Sequence, residues 1–98
     1  MRMEWSVLAI KDREAIFDYI ETDSFRAAVM IDDRIENCAE LLARFPEMGR
    51  MGRVEGTREL LISGTPYIAA YCILGETVRI LRVLHGARQW PEEMSEEP

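Results

Sequence analysis

The chain has 98 residues, of which 48% are hydrophobic, and a formal net charge of −6. This length and composition suit one domain with one hydrophobic core. No apolar run is long enough to span a membrane, and the N-terminus lacks the pattern of a signal peptide. We therefore expect a cytoplasmic protein without membrane contact.

The charge is distributed unevenly along the chain. Residues 1–49 carry six basic and eleven acidic side chains, residues 50–88 carry six arginines and three glutamates, and residues 89–98 carry four glutamates. An acidic chain is poorly suited to generic nucleic-acid binding, which depends on neutralising phosphates. The central region is nevertheless basic through arginine alone, which favours recognition of a carboxylate or a phosphate.

Cysteine and histidine are too few to indicate a metal site. Cys38 and Cys72 each lie within an apolar pattern, which is typical of reduced, buried and inert thiols. His85 is the single histidine, and the sequence has no Cys-x-x-Cys spacing. We expect no disulfide, no metal ion and no cofactor.

A strand and a helix are predicted first. Residues 3–10 alternate apolar and other side chains, although imperfectly, which predicts a short strand. Asp12 is a suitable N-cap for the helix of about ten residues that follows. Residues 22–24 interrupt this helix and provide a new cap at Asp23 or Ser24.

A second, longer helix is predicted over residues 25–45, and it carries the clearest pattern in the chain. Its apolar residues recur at steps of three and four, so they form one face that packs against a single partner. They are Ala28, Ile31, Ile35, Cys38, Leu42 and Phe45. Pro46 ends the helix. Residues 47–54 are interpreted as a surface loop, because no helix follows their Gly-x-x-Gly to make a phosphate loop.

Three strands are predicted after this loop, over residues 57–62, 67–74 and 77–84. β-branched and aromatic side chains are dense in the second and third of these runs. Gly75 and Glu76 suit a two-residue hairpin turn, because glycine tolerates positive φ.

The predicted order is therefore β-α-α-β-β-β, which is a small α+β fold. An antiparallel sheet packs against an αα-hairpin, because neither helix can bury its apolar face alone. Whether the first strand joins the sheet at an edge or in the centre is left open. We expect residues 1–91 to form one domain and residues 92–98 to form an acidic, flexible tail.

The last predicted strand and the turn after it carry the candidate chemistry. Strand alternation places Arg79 and His85 on one face and Arg82 on the other, among apolar positions. One interpretation is a site for a phosphate or carboxylate built from Arg82, His85 and Arg88, with His85 exchanging protons near neutral pH. In the other, the strand arginines pair with acidic groups of the helices and His85 hydrogen-bonds a turn. Both remain open.

The aromatic residues also allow two interpretations. Tyr67 and Tyr71 share a strand face, which is compatible with a stacking platform for bases, but core tyrosines with satisfied hydroxyls are the plainer interpretation. Trp90 is either an anchor for a partner or a cover over the end of the core. Trp5 is interpreted as a core residue.

Several phrases of the sequence, in order, resemble the RelE/ParE superfamily of bacterial toxins. They are DYI at 18–20, GRMGR at 49–53, GTREL at 56–60, TPYI at 65–68 and ILRVLHGARQWP at 80–91. The resemblance extends from Trp5 to Pro91, and the family fold is the one predicted above. It implies a toxin of a type II toxin–antitoxin module, held inactive by a cognate antitoxin that wraps it.

The superfamily includes two activities. RelE-like members cut mRNA on the ribosome with basic residues and often a tyrosine, whereas ParE-like members poison DNA gyrase. By the resemblance, Arg88 lies where a RelE-like nuclease has a basic residue. Glu59, Leu61 and Ile68 occupy positions where such nucleases often carry lysine or arginine, and Met94 lies where a catalytic tyrosine would be.

The resemblance therefore favours a ParE-like gyrase poison, which would not be an enzyme. One alternative is a metal-independent, ribosome-dependent mRNA endonuclease that uses Arg82, His85 and Arg88. Another is a non-toxic homologue that only binds an antitoxin. Because the helices can cover only one sheet face, we expect the other, arginine-bearing face to bind the antitoxin as an acidic amphipathic helix or an added strand. The residues expected to contact target or antitoxin are Arg50, Arg53, Arg58, Tyr67, Arg79 and Trp90.

Overall fold

Two helices and five strands make up the described part of the fold. The computed structural model describes residues 1–92 and Met94. The elements in chain order are β1 (Arg2–Trp5), α1 (Val7–Glu21), α2 (Phe25–Arg44), β2 (Arg50–Met51), β3 (Arg58–Leu61), β4 (Tyr67–Leu74) and β5 (Thr77–His85). Neither of these helices is long and apolar enough to cross a membrane. The predicted tail lies mostly outside the described residues, although Met94 is buried.

The strands form one sheet in the order β1-β5-β4-β3-β2. Strands β2 to β5 pair antiparallel, whereas β1 pairs in parallel with β5 at an edge. A parallel pair needs a long connection, and the chain between β1 and β5 passes through both helices and the other three strands. The predicted α+β fold, with an αα-hairpin on a meander, is confirmed. Strand β2 was not predicted, because it lies within residues that were expected to form a loop.

The boundary between β1 and α1 lies earlier than predicted. The strand ends at Trp5, and Ser6 rather than Asp12 caps α1. Ser6 Oγ accepts a hydrogen bond from the Ala9 backbone N–H at 3.0 Å and donates one to the Leu81 carbonyl at 2.8 Å. The alternation that predicted a longer strand is too short to distinguish a strand from the first turns of a helix.

Helix α2 matches the predicted second helix closely. Ser24 caps it by accepting a hydrogen bond from the Ala27 backbone N–H at 3.1 Å. From the predicted apolar face, Ile35 and Leu42 are fully buried in a core shared with the sheet. Phe45 follows the last turn and is exposed. The three- and four-residue spacing therefore determines which side of α2 meets the sheet, but not the environment of its last member.

Tyr71 of β4 is fully buried and fixes the chain that follows α2. Its hydroxyl accepts a hydrogen bond from the Gly49 backbone N–H at 2.9 Å and donates one to the Pro46 carbonyl at 2.7 Å. A Cβ atom at Gly49 would lie 2.6 Å from this hydroxyl, so only glycine fits there. Tyr71 thus positions the segment that leads into β2, and it is a core tyrosine with a satisfied hydroxyl.

We expect Tyr71→Phe to lower the free energy of unfolding by about 1–3 kcal/mol, because it leaves the buried Gly49 N–H and the half-buried Pro46 carbonyl without this partner. Chemical denaturation measures this change. Tyr19→Phe, which alters an exposed side chain, is the matched control and should change stability by less than about 0.5 kcal/mol. Equal stability of the two variants would contradict the role of the hydroxyl.

Candidate functional site

The two faces of the sheet differ in what covers them. Along β4, Tyr67, Ala69 and Tyr71 lie in the core with the helices, and we call this side the helix face. The residues between them, Ile68 and Ala70, point to the opposite side, which we call the second face.

A β-bulge in β5 changes the faces on which the candidate residues lie. Ala70 pairs with Arg82, but the next residue of β4, Tyr71, pairs with Ile80. Leu81 is therefore an extra residue in β5 without its own partner on β4. Past a bulge of this kind, the alternation of side chains is shifted by one position.

The shift separates two residues that were predicted to share a face. His85 pairs with Tyr67 and lies on the helix face, whereas Arg79 pairs with Cys72 on the second face. Arg82 lies on the second face too, rather than among the core positions of β5. The predicted arrangement is wrong because strict alternation takes no account of an inserted residue.

Arg82 forms a bidentate ion pair with Asp12 of α1. Its Nε and Nη2 donate to the two carboxylate oxygens at 2.7 and 2.9 Å. The side chains are only 13% and 15% exposed. Asp12 Oδ2 also accepts a hydrogen bond from the Val83 backbone N–H at 3.0 Å. The charge of Arg82 is thus neutralised inside the fold, as the structural interpretation predicts.

Arg79 and Arg58, which were predicted to contact a partner, form hydrogen bonds within the chain. Arg79 Nε donates to Glu4 Oε1 at 2.6 Å, across the paired strands β5 and β1. The predicted partner of Arg79 was an acidic group of a helix. The observed partner, Glu4, lies on strand β1 instead. Arg58 Nη1 donates to the carbonyls of Glu47 and Gly49 at 3.2 and 2.9 Å, which holds the chain before β2.

Glu59 is a buried carboxylate at the centre of an arginine cluster. It accepts hydrogen bonds from the backbone N–H and the Nε of Arg53 at 2.8 and 3.1 Å, and from Arg50 Nη2 at 3.3 Å. The Arg53 guanidinium lies 3.5 Å from the centroid of the Trp90 ring, which is a cation–π contact. Arg50, Arg53 and Trp90 are therefore brought together, but around an anion of the same chain.

The middle of the second face is covered by the chain itself. Ala70 is fully buried and Ile68 is nearly so. The segment after β5 contributes to this cover: a Cβ atom at Gly86 would lie 3.0 Å from Ile68 Cδ1, and Trp90 lies on the Glu59 cluster. The predicted open, arginine-bearing face is therefore wrong for this strip, because the arginines there have internal partners.

Four of the candidate residues line one cavity of about 280 Å³ at the end of β5. They are Tyr67, His85, Arg88 and Trp90. The Arg88 guanidinium carbon lies 5.9 Å from the ring centroid of Tyr19 in the same wall. Arg82 does not line this cavity, so the three predicted catalytic residues do not converge on it.

His85 is held by the turn that follows it. Its Nδ1 accepts a hydrogen bond from the Ala87 backbone N–H at 3.1 Å, and its carbonyl accepts one from the Trp90 indole N–H at 3.2 Å. The ring meets Tyr67 edge-on, with centroids 5.6 Å apart. Burial raises the pKa of Tyr67, although the Arg88 cation opposes this effect, so the phenol remains protonated at neutral pH. The predicted hydrogen bond between His85 and a turn is confirmed.

Both cysteines are free thiols. Burial raises the pKa of Cys38 to about 11, which keeps this thiol protonated and unreactive. Within residues 1–92 and Met94, no three potential metal ligands lie close enough together to hold an ion.

Comparison with known proteins identifies the family. The family described as "ParE toxin of type II toxin-antitoxin system, parDE" matches residues 3–90. The chain belongs to this family. The solved structure described as the chromosomal ParDE TA system from P. aeruginosa has a TM-score of 0.75 at 27% identity, over 85% of this chain and 92% of that chain. The predicted membership of the RelE/ParE superfamily, as a type II toxin, is confirmed.

Two relatives of this ParE family member carry toxin names. The protein named toxin Y4kP from Sinorhizobium fredii is 40% identical over 91 residues, which is 93% of this chain and 94% of the relative. Toxin RelE2 from Caulobacter vibrioides is 37% identical over 84 residues, which is 86% of this chain and 93% of the relative. One relative thus has a RelE name, whereas the similar solved structure is described as a ParDE system.

The positions that the resemblance compared with a RelE-like nuclease differ in their exposure in this ParE family member. Glu59 and Ile68 are buried, and Met94 is buried as well, whereas Leu61 is exposed. Arg88, the basic residue expected from the resemblance, is exposed.

Sequence reasoning missed the two carboxylates that organise this region. Asp12 was interpreted as a helix cap because the start of α1 was set too late. Glu59 directly follows Arg58 at the end of a stretch that also contains Arg50 and Arg53, but Glu55 lies in the same stretch, so the sequence does not mark Glu59 as their partner.

We expect Asp12→Ala to lower the free energy of unfolding by about 3 kcal/mol, because it removes the shielded carboxylate that binds the Arg82 guanidinium and the Val83 backbone N–H. Glu4→Ala is the matched control, since the Glu4 side chain is 47% exposed. That variant should cost less than about 1 kcal/mol. Urea denaturation compares the two, and equal losses would contradict the assignment.

Protonation of Glu59 should weaken the fold in acid. Burial would raise the pKa of Glu59, but hydrogen bonds from the Arg53 backbone N–H, the Arg53 guanidinium and Arg50 outweigh it and lower the pKa below 4.5, its ordinary value. A lowered pKa in the folded state stabilises the protein above that value, and the contribution is lost as the pH falls through the folded pKa.

We therefore expect Glu59→Gln to be less stable than the wild type above pH 4.5, with a difference that shrinks as the pH falls further. Denaturation at a series of pH values measures this difference. Glu76→Gln, at an exposed turn position, should keep the pH dependence of the wild type. A constant difference between wild type and Glu59→Gln would argue against the ionised, hydrogen-bonded carboxylate.

Proposed function

We propose that this toxin inhibits growth by acting on DNA gyrase in the cytoplasm, and that a cognate antitoxin neutralises it by direct binding. The match of residues 3–90 to the ParE toxin family supports this target, because resemblance to ParE-like toxins implies a gyrase poison. On this proposal the toxin is not an enzyme and needs no cofactor.

The ion pair between Arg82 and Asp12 supports DNA gyrase as the target rather than RNA. Metal-free cleavage of RNA needs a base, an acid and a cation on the phosphate. Arg82 is bound at 2.7 and 2.9 Å by a carboxylate of the same chain. Glu59 adds a buried anion at a position where, by the resemblance, RelE-like nucleases often carry lysine or arginine. These two carboxylates make the second face a poor surface for a phosphate.

The alternative is a ribosome-dependent mRNA endonuclease, and one observation favours it. Tyr67, His85, Arg88 and Trp90 line the same cavity, which combines aromatic rings with a cation and a histidine. With Nδ1 of His85 occupied by the Ala87 N–H, proton exchange there would use Nε2.

Expression of the toxin without its antitoxin tests both candidates. We expect growth arrest with DNA breaks, and inhibition of gyrase supercoiling by the purified toxin that an equimolar amount of antitoxin relieves. The Arg88→Ala variant should leave transcripts as intact as the wild type does. Arg26→Ala, at an exposed position near the start of α2, is the control for loss of one arginine.

Other results would overturn the proposal. Cuts in mRNA at the ribosomal A site that disappear in Arg88→Ala, but persist in Arg26→Ala, would assign the nuclease activity instead. Normal growth and normal supercoiling with authentic, folded toxin would identify a non-toxic homologue.

A further inference from the structure

Helix α1 uses little of its surface to hold the fold together. Of its 15 residues only Ala9 is fully buried, whereas α2 buries five of its 20 residues. Val7 and Ile10 of α1 are 52% and 47% exposed, although both are apolar. Apolar surface that remains in water gains free energy when a partner covers it. The outer side of α1 is therefore a candidate surface for a partner.

A cavity of about 590 Å³ lies on this outer side and is walled by both helices. Its lining residues are Trp5, Ile10, Arg13, Glu14, Phe17, Asp18 and Asp32. We call it the hairpin groove. At its margin, Phe17 meets Phe25 of α2 edge-on, with ring centroids 5.9 Å apart, and Phe25 is 63% exposed. The apolar surface of the groove thus continues from α1 onto the start of α2.

The hairpin groove is negatively charged. Its arginine, Arg13, donates from Nε and Nη2 to the two carboxylate oxygens of Asp32 at 2.6 and 3.0 Å, and from Nη1 to Glu36 Oε2 at 2.7 Å. In the part of the chain that the structure describes, the side chains of Glu14 and Asp18 form no ion pair. One guanidinium therefore serves two of the four carboxylates, and the other two keep their full charge.

Arg13 is held too firmly to neutralise these two carboxylates. Besides its ion pairs, its guanidinium lies 5.0 Å from the centroid of the Trp5 ring, which is a cation–π contact, and its side chain is 24% exposed. Glu14 and Asp18 lie four residues apart, so they are neighbours on the same side of α1. The groove therefore presents a pair of unneutralised carboxylates beside exposed apolar side chains.

Charge decides which partner suits the hairpin groove. An acidic antitoxin segment, of the kind expected from the arginine-rich part of the sequence, would be repelled by Glu14 and Asp18. Two copies of the chain that met through the same groove would repel each other as well, because a twofold contact places like surfaces together. DNA gyrase holds DNA, and proteins that hold DNA present lysine and arginine to its phosphates. A basic surface of gyrase is therefore the complementary partner.

We propose that the hairpin groove docks on a basic surface of DNA gyrase. Lysine or arginine side chains of gyrase face Glu14 and Asp18, and an apolar side chain of gyrase lies against Ile10 and Phe17. This proposal rests on the gyrase target proposed above and adds the surface of the toxin that reaches it. The helical hairpin then serves the target, while the sheet remains for the antitoxin.

Charge reversal in the hairpin groove tests this assignment. The double variant Glu14→Lys/Asp18→Lys should need at least about tenfold more toxin for half-inhibition of gyrase supercoiling, because it repels a basic surface. Its affinity for the antitoxin, measured by calorimetry, should stay within about twofold of the wild type. Glu55→Lys/Glu76→Lys is the matched control, since it makes the same change in net charge at two exposed turn positions. It should inhibit gyrase as the wild type does.

A second measurement reports the contact without a change of charge. A photo-reactive phenylalanine analogue at position 10 should cross-link to gyrase, and the same analogue at position 74 should not. Leu74 is the matched site, because it is an apolar side chain of similar exposure, 52%, at the β4–β5 turn. Raising the salt concentration should weaken gyrase binding by the wild type more than by the variant Glu14→Lys/Asp18→Lys.

The outcomes separate this proposal from the proposed target. A wild-type toxin that leaves gyrase supercoiling intact would overturn the target and the groove assignment together. Full inhibition by Glu14→Lys/Asp18→Lys, with no cross-link from position 10, would overturn the groove assignment alone. If that variant inhibits gyrase fully but no longer binds the antitoxin, the groove belongs to the antitoxin and the assignment is wrong.

Discussion

The hydrogen bond from the Ser6 hydroxyl to the Leu81 carbonyl joins the features on which the rest of the structure depends. The same oxygen caps α1, so the end of β1, the start of α1 and the bulged residue of β5 are fixed relative to one another. Because β1 stops here, the edge of β5 beyond it is open to a side chain. Asp12 takes that place, accepts a hydrogen bond from the Val83 N–H and holds Arg82. The ion pair is therefore a consequence of how the first helix is attached.

The charged side chains of the second face form ion pairs within the chain rather than remaining available to a partner. In the register of the sheet, Glu59 pairs with Ala70, and Ala70 with Arg82, so a buried alanine separates two ion-paired groups. Carboxylates and guanidiniums removed from water need partners, and here each finds one within the chain. An excess of arginine in a sequence therefore need not give a cationic surface.

Much of the architecture is predictable from the sequence, because hydrophobic period and turn residues act locally. Strand β4 has the predicted limits, and α2 and the glycine turn before β5 follow the expected pattern closely. The bulge and β2 are not predictable in this way, since pairing with a neighbouring strand defines both. The same distinction between local and non-local signals applies to the candidate site. Its residues could be found from their types, but their roles as internal ion-pair partners depend on Asp12 and Glu59, which come from other parts of the chain.

The extra residue in β5 has a consequence for comparing this protein with its relatives. A toxin whose last strand lacks such an insertion would present the residue equivalent to His85 to the opposite side of its sheet, even if the letters around it were the same. A catalytic role could then not be transferred from one member to another by sequence alignment alone. Two side chains can meet only if they lie on the same face of the sheet, whatever their sequence identity. The bulge at Leu81 therefore decides which side chains can meet at this end of the sheet.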